Sequence, residues 1–337
     1  MIVRIMPWNN SRLRRYLIIS KRQLLLVPFL LALGLLCFHI LIVRDLTDWS
    51  PLSNRHAESY IKPHLETVLV FPSTRILARG EEVDVLGVIH SSPNHFENRD
   101  VIRKTWLKDL KKMNGSSFKV VFLLGTKEMD SHSKSLLSSE IDSFGDIVVE
   151  DFMDTYNNLT LKSIFMLKFI VRYNLKIKTL FKMDDDSYFN VERFPTIIDF
   201  DSTAIRGFKY VQTYPIRYAT IFTVASKWIC PSWMYVDDIY PEYIGGAGYL
   251  IPGSEIPKLY KSSFTTLFIH LEDVFLTGII AKLNSVPREN IPSFLDKTGS
   301  TCPKDITMLL FHPINPSKMK VIHQLIKEGD NTHCQWH

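Results

Sequence analysis

Cysteine is scarce in this chain: four occur in 337 residues, and one of them, Cys37, sits inside an apolar run. A small fold stapled by disulfides is therefore excluded. Cys230, Cys302 and Cys334 allow one bridge and one leftover thiol, and their positions do not choose the pair. The terminal run His333-Cys334-Gln335-Trp336-His337 has metal-binding residue types but no second ligand cluster at zinc-site spacing, so it reads as a frayed tail of residues 330–337. Acidic residues are missing from residues 1–23, which hold Arg4, Arg12, Arg14, Arg15, Lys21 and Arg22. Taking those six from the net charge of +5 leaves −1 on the remainder, so the basic character belongs to a tail and a nucleic-acid-binding body is disfavoured. No internal repeat is visible.

Charge is also missing from Leu24 to Val43, LLLVPFLLALGLLCFHILIV, a run of about the length that crosses a hydrocarbon core of roughly 30 Å. A cleaved signal peptide has a shorter apolar stretch and a small-residue cleavage site, and neither is seen before Arg44 and Asp45. The run reads as a transmembrane signal anchor. Its basic N-terminal flank keeps that end cytosolic and sends the C-terminal part across the membrane. On that topology Asn114-Gly115-Ser116 and Asn158-Leu159-Thr160 are candidate N-glycan acceptors, whereas proline excludes Asn315-Pro316-Ser317.

Residues 44–82 show no sustained periodicity and are broken by Pro51, Pro63 and Pro72, as in a stem. From residue 83 the pattern changes. Apolar runs at 83–90, 118–125, 146–152 and 179–183 have the length and β-branched content of buried strands. Helical spacing over 99–110, 131–144 and 159–173 separates them, which predicts an α/β domain with a mostly parallel sheet over 83–329. After about residue 187 the alternation weakens into aromatic and proline-rich segments, with another helical stretch near 273–282. Ligands of an open α/β sheet bind beyond the carboxyl ends of its strands, so the residues just after each apolar run are the ones to search.

The strongest local signal lies there. Asp184-Asp185-Asp186 closes the run TLFKM, and three adjacent carboxylates repel unless a cation relieves them. A hard divalent ion prefers carboxylate and phosphate oxygens, and Asp184 with Asp186 has the D-x-D spacing that lets one carboxylate hold the metal while another meets a ribose or a metal-bound water. A solvated acidic turn is the plain alternative; an EF-hand is not, because Phe189 and Pro195 stand where its Gly and Glu are needed. His270-Leu271-Glu272-Asp273 opens a predicted helix. Acids there complement the helix dipole, yet a carboxylate in that place also suits a general base. Tyr243, Gly245, Gly246 and Tyr249, within YPEYIGGAGY, combine close backbone approach with aromatic faces suited to sugar rings. His312, after ITMLLF, is either a structural histidine or a further metal ligand.

Taken in order, Asn98-Arg99-Asp100-Val101-Ile102-Arg103-Lys104-Thr105-Trp106, Phe122-Leu123-Leu124-Gly125, Asp151-Phe152-Met153-Asp154-Thr155-Tyr156-Asn157-Asn158-Leu159-Thr160-Leu161-Lys162, the triple aspartate, YPEYIGGAGY and Glu272-Asp273-Val274-Phe275-Leu276-Thr277-Gly278 resemble the β-1,3-glycosyltransferases of glycosyltransferase family 31. The similarity spans about residues 83–323. It implies a GT-A fold, a UDP-sugar donor, Mn²⁺, inversion at the anomeric carbon and a Golgi membrane protein acting on a glycan of protein or lipid. By motif, Asp186 is the principal metal ligand, Asp184 and Asp185 serve metal and nucleotide, His312 is a further ligand, and Asp273 is the base. Tyr243, Gly245, Gly246, Tyr249 and Glu272 fall on the acceptor side.

Arg99 and Arg103 serve the nucleotide side in this reading or, equally, pair with acids such as Asp151 or Asp154, and Lys162 is either a diphosphate neighbour or a helix-face salt bridge. Two departures, Ile244 before the glycines and the absence of a cysteine in Ile279–Leu283, bear on the acceptor pocket and disulfides. Galactose is the preferred donor sugar, ahead of N-acetylglucosamine and N-acetylgalactosamine. The alternatives are a catalytically silent glycan-binding member of the fold and a metal-dependent phosphohydrolase; the oligomeric state is open.

Overall fold

The computed structural model describes residues 26–38, 49–112, 117–126, 129–218, 227–296 and 308–329. The basic tail 1–23, Asn114, Cys302, Cys334 and the tail 330–337 lie outside them. The chain divides into two units, residues 1–50 with 218–229, and residues 51–217 with 230–337. In the first, residues 26–38 of the apolar run are helical and exposed along their length. Among the described residues no helix is long and apolar enough to cross a membrane, and both ends of the 24–43 run fall outside them.

The second unit is built on an eight-stranded sheet in the order β1-β4-β3-β2-β5-β8-β7-β9. Its centre is parallel: β4 (Ile147–Met153), β3 (Phe118–Thr126), β2 (Glu82–His90) and β5 (Lys176–Asp184). These are the four apolar runs of the sequence, and nearly every residue in the second half of β2 and β3 is buried, as expected for strands covered on both faces. The helices between them are α1 (Phe96–Lys104), α2 (Ser131–Phe144) and α3 (Leu159–Arg172). The start and stop of α2 follow from local chemistry: Asp130 accepts from the Ser133 N–H, and Gly145 ends the helix in the left-handed region at φ 64°.

Antiparallel pairings flank this centre. On one side β1 (Val68–Val70) pairs with β4; on the other, β8 (Tyr243–Pro252) pairs with both β5 and β7 (Ile205–Tyr210), and β9 (Arg288–Asn290) closes the edge, where the last pair, β7 with β9, is parallel again. A second, small sheet joins β6 (Tyr188–Phe189), β10 (Leu295–Asp296) and β11 (Leu310–Phe311), and helix α4 (Pro316–Glu328) follows. The helix expected near 273–282 is a π-helical turn, Val274–Ile280, running into Ala281–Leu283.

The stem reading needs correction over residues 51–82. That stretch is packed onto the domain: Ala57, Ile61 and Leu77 are fully buried, and the Arg55 guanidinium donates to the carbonyls of Met234 (2.9 Å), Phe268 (3.1 Å) and Trp233 (3.1 Å). Sequence periodicity misses it because the contacts are made by single anchors rather than by a repeating face. Beneath β1, Lys168 of α3 donates to the Ile61 and Lys62 carbonyls and to Thr67 Oγ1 (2.7 Å), and Thr67 donates in turn to Glu150 Oε2 (2.7 Å).

Burial lifts the Glu150 carboxyl to about 7 against the help of Thr67 and Lys168. Because the folded value lies above the unfolded one, this group favours the folded state at low pH, and that advantage is lost as pH rises through the window from about 4.5 to 7. Glu150→Gln removes the ionisation. Thermal and urea unfolding should show it stabilising the protein by on the order of 2 kcal/mol at pH 8 and leaving it unchanged at pH 4.5. Equal effects at both pH values would contradict this account of the site.

Candidate active site and metal centre

Strand β5 ends at Asp184, and the three aspartates then separate by direction. Asp184 lies on the same strand face as Lys182, whose ammonium it meets at 2.7 Å. Asp185 is buried toward α1: His95 Nδ1 is 2.8 Å from its Oδ2, and Asn98 donates to its backbone carbonyl at 3.2 Å. The Asp185 bond raises the His95 imidazole above its usual range. Asp186 is half-buried, with Oδ1 3.2 Å from His312 Nε2.

His312 comes from the far end of the chain. The small sheet carries it, since Phe311 pairs with Tyr188 and Leu310 with Phe189, and the Ile314 N–H donates to the Asp186 carbonyl at 2.9 Å. Ligand atoms of Asp184, Asp186 and His312 all lie within 4.8 Å of one another. Two carboxylate oxygens and one imidazole nitrogen form a donor set that fits a hard or borderline divalent cation, and the charges fit it too. Burial pushes the Asp184 carboxyl up, with Lys182 opposing and Asp186 adding to the rise. Burial acts the same way on Asp186, but His312 holds that carboxyl below its usual range and is itself raised in return, against its own burial.

Beside the centre lies an open pocket of about 450 Å³ lined by His95, Asn98, Asp186, Ile314, Asn315 and Lys318, among others. Asp273 is joined to the centre through Gly246 and Lys182. It begins the π-helical turn; Oδ1 accepts from the Val274 N–H (2.8 Å) and Oδ2 from the Gly246 N–H (3.1 Å). Burial first, and then the neighbouring Glu272, lift its carboxyl to about 6, even though those two N–H donors and Lys182 favour the charged form. Strand β8 is clamped to this turn through Thr277, which accepts from the Ile244 N–H (2.8 Å) and donates to the Asp273 carbonyl (2.7 Å). Gly245 is required here, because a Cβ would lie 2.7 Å from the Tyr210 ring. Tyr243 and Tyr210 stack with centroids 5.1 Å apart and planes at 10°, half-exposed beside the turn.

Several residues expected in the site hold the scaffold instead. Arg99, fully buried, forks onto Glu140 (2.8 and 2.6 Å) and donates to Ser91 Oγ and the Ser92 and Pro93 carbonyls. Arg103 bridges Glu140 (2.6 Å) and Asp146 (2.7 and 2.9 Å). Their partners are thus Glu140 and Asp146, not Asp151 or Asp154. Lys162, buried, binds both oxygens of Asp154 (2.9 and 2.8 Å) and the Ser91 carbonyl. With their donors engaged inside the protein, the three cations are not presented to a nucleotide.

Glu272 and Tyr249 are likewise internal: Tyr249 Oη and Ser163 Oγ both donate to Glu272 Oε1 (2.5 and 2.6 Å), and Tyr249 has no exposed surface. Asn158 donates its amide to the Met153 carbonyl (2.9 Å), and its sequon threonine, Thr160, is buried against the Ile269 carbonyl. Cys230 is a buried free thiol. Residue-by-residue reading missed Lys182, His95 and Lys318. The first was discoverable, because a lysine two places before an acidic cluster on one strand must share a face with it.

The sequence matches the family described as Galactosyltransferase over residues 97–292. It is 30% identical over 247 residues to beta-1,3-galactosyltransferase 1 of Mus musculus and of Homo sapiens, an alignment covering 73% of this chain and 75% of each relative. Against beta-1,3-galactosyltransferase 5 of Homo sapiens the identity is 31% over 200 residues, 58% of this chain and 62% of that one. The chain belongs to the galactosyltransferase family, and with it to the hexosyltransferases.

The centre has a direct test. Calorimetric titration of the full-length protein with MnCl₂ should show one site, weakened at least about tenfold by Asp186→Ala or His312→Ala, since each removes one of three ligands. Undiminished binding in both variants would rule this centre out.

Proposed function

We propose that this chain is an inverting β-1,3-galactosyltransferase of the GT-A type, transferring galactose from UDP-galactose to a glycan on protein or lipid. The observation that carries the proposal is the chain of contacts joining two distant stretches of sequence: Asp184 to Lys182, Lys182 to the Gly246 carbonyl, and the Gly246 N–H to Asp273. A cation-binding group and a carboxylate with a raised pKa thus meet at one end of the paired strands β5 and β8. The galactose preference and the β-1,3 linkage are taken from the names of the relatives, beta-1,3-galactosyltransferases 1 and 5.

A divalent cation such as Mn²⁺, held by Asp184, Asp186 and His312, would supply Lewis-acid stabilisation to the charge developing on the departing nucleotide. The protein does the rest. The pocket bounded by His95, Asn98 and Lys318 seats the nucleotide on the Asp186 side, and the Tyr210–Tyr243 stack offers an aromatic surface to the acceptor beside Asp273. Asp273, ionised and fixed by two backbone N–H groups, takes the proton from the acceptor hydroxyl as that oxygen attacks the anomeric carbon from the face opposite the leaving diphosphate. The apolar run 24–43 anchors the enzyme, with the catalytic domain in the Golgi lumen.

UDP release by the detergent-solubilised chain, screened over the common UDP-sugars with product linkage analysis, tests this reading. UDP-galactose should be the favoured donor, and Asp273→Asn should lower kcat by about 10²–10⁴-fold. Asp273 must be ionised to act, so kcat/KM should fall tenfold per pH unit below about pH 6 and level off above it. Full turnover by Asp273→Asn would remove this carboxylate from the mechanism.

A further inference from the structure

Lys182 makes bonds that reach toward both halves of the site. It is buried within the sheet, cross-strand from Tyr249; its ammonium donates to Asp184 Oδ1 at 2.7 Å and to the Gly246 carbonyl at 2.5 Å, and Glu272 Oε2 stands 3.6 Å away as an ion-pair partner. Two of these belong to functional groups at one remove. Asp184 is a proposed cation ligand, and the Gly246 residue held by its carbonyl offers its N–H to Asp273. Glu272, adjacent to Asp273, is fixed on its other oxygen by Ser163 and Tyr249, so it gives the ammonium a rigid backstop rather than a competing ligand.

Building on the transferase reading, we propose that Lys182 is a positioning residue that orients the Asp273 base through the Gly246 backbone while restraining Asp184 as a cation ligand. The arrangement sets two demands against each other. A fixed positive charge on Asp184 weakens the hold of the centre on a divalent cation. The same charge keeps Gly246, and hence Asp273, in place among Asp184 and Glu272, whose negative charges would otherwise face the base without a counter-ion. Removing the ammonium should therefore move two measurements in opposite directions, which a purely structural lysine would not do.

Lys182→Met keeps the unbranched shape of the side chain, one atom shorter, and removes the charge. For the detergent-solubilised full chain, calorimetry with MnCl₂ should show Kd falling by about tenfold, the effect of deleting one positive charge close to the cation. Over the same preparation kcat should drop by at least about a hundredfold, as for a mispositioned base. A kcat within about threefold of wild type, or a cation affinity that is unchanged or weaker, overturns the proposal. If Lys182→Met fails to give a cooperative thermal melt, Lys182→Arg decides. It retains the charge but not the compact three-way fit, so cation affinity should stay within about threefold while kcat falls about tenfold, and wild-type kcat overturns the proposal. A wild-type chain that binds no Mn²⁺ and releases no UDP overturns the transferase reading and this inference with it. A wild-type chain that does both, beside an unaltered Lys182→Met, overturns the inference alone.

Discussion

A buried ammonium surrounded by carboxylates organises this molecule. Burial alone would drive the Lys182 proton off, yet Asp184 and Glu272 hold that group charged, above the ordinary range of a lysine. The cation, in turn, is what allows Asp184, Glu272 and Asp273 to converge at one end of strands β5 and β8 without mutual repulsion pulling them apart. An unpaired buried charge costs several kcal/mol, whereas a charge with two hydrogen-bonded oxygens and a second carboxylate nearby is tolerated. Sheet register, carboxylate placement and the direction of the π-helical turn are thus solved together, and none of the three could be altered without disturbing the others.

Much of this was legible in the sequence, for physical reasons. The four central strands stand out because strands covered on both faces must be apolar throughout, and β2, β3, β4 and β5 coincide with such runs. Helix α2 coincides with the helical spacing over 131–144, and Asp130 and Gly145 supply its ends in the structure. Asp184, Asp186, His312 and Asp273 were singled out by residue type and order, and the fold brings the first three within ligand distance of one another.

The remainder depended on partners that lie far away in the chain. Arg99 and Arg103 look like phosphate ligands in a linear reading, but Glu140, on a helix some forty residues later, takes both. Glu272 carries the same charge as its neighbour Asp273; the positions of Ser163 and Tyr249 decide that Glu272 is held by side-chain hydroxyls, while Asp273 accepts from the Val274 and Gly246 N–H groups. The segment 51–82 has stem-like composition yet adds a strand to the sheet, because β1 needs only three residues and the neighbouring Thr67 to engage β4 and Glu150. Nothing in local composition reports such long-range pairing.

The small sheet β6-β10-β11 has a consequence for how the enzyme matures. It places the imidazole, supplied close to the end of the chain, against carboxylates supplied near its middle. During synthesis the two aspartates leave the ribosome long before their histidine does. A polypeptide stopped anywhere ahead of β11 retains the acidic pair but lacks His312, so the three-residue cluster forms only once residue 312 has been made and the small sheet has closed.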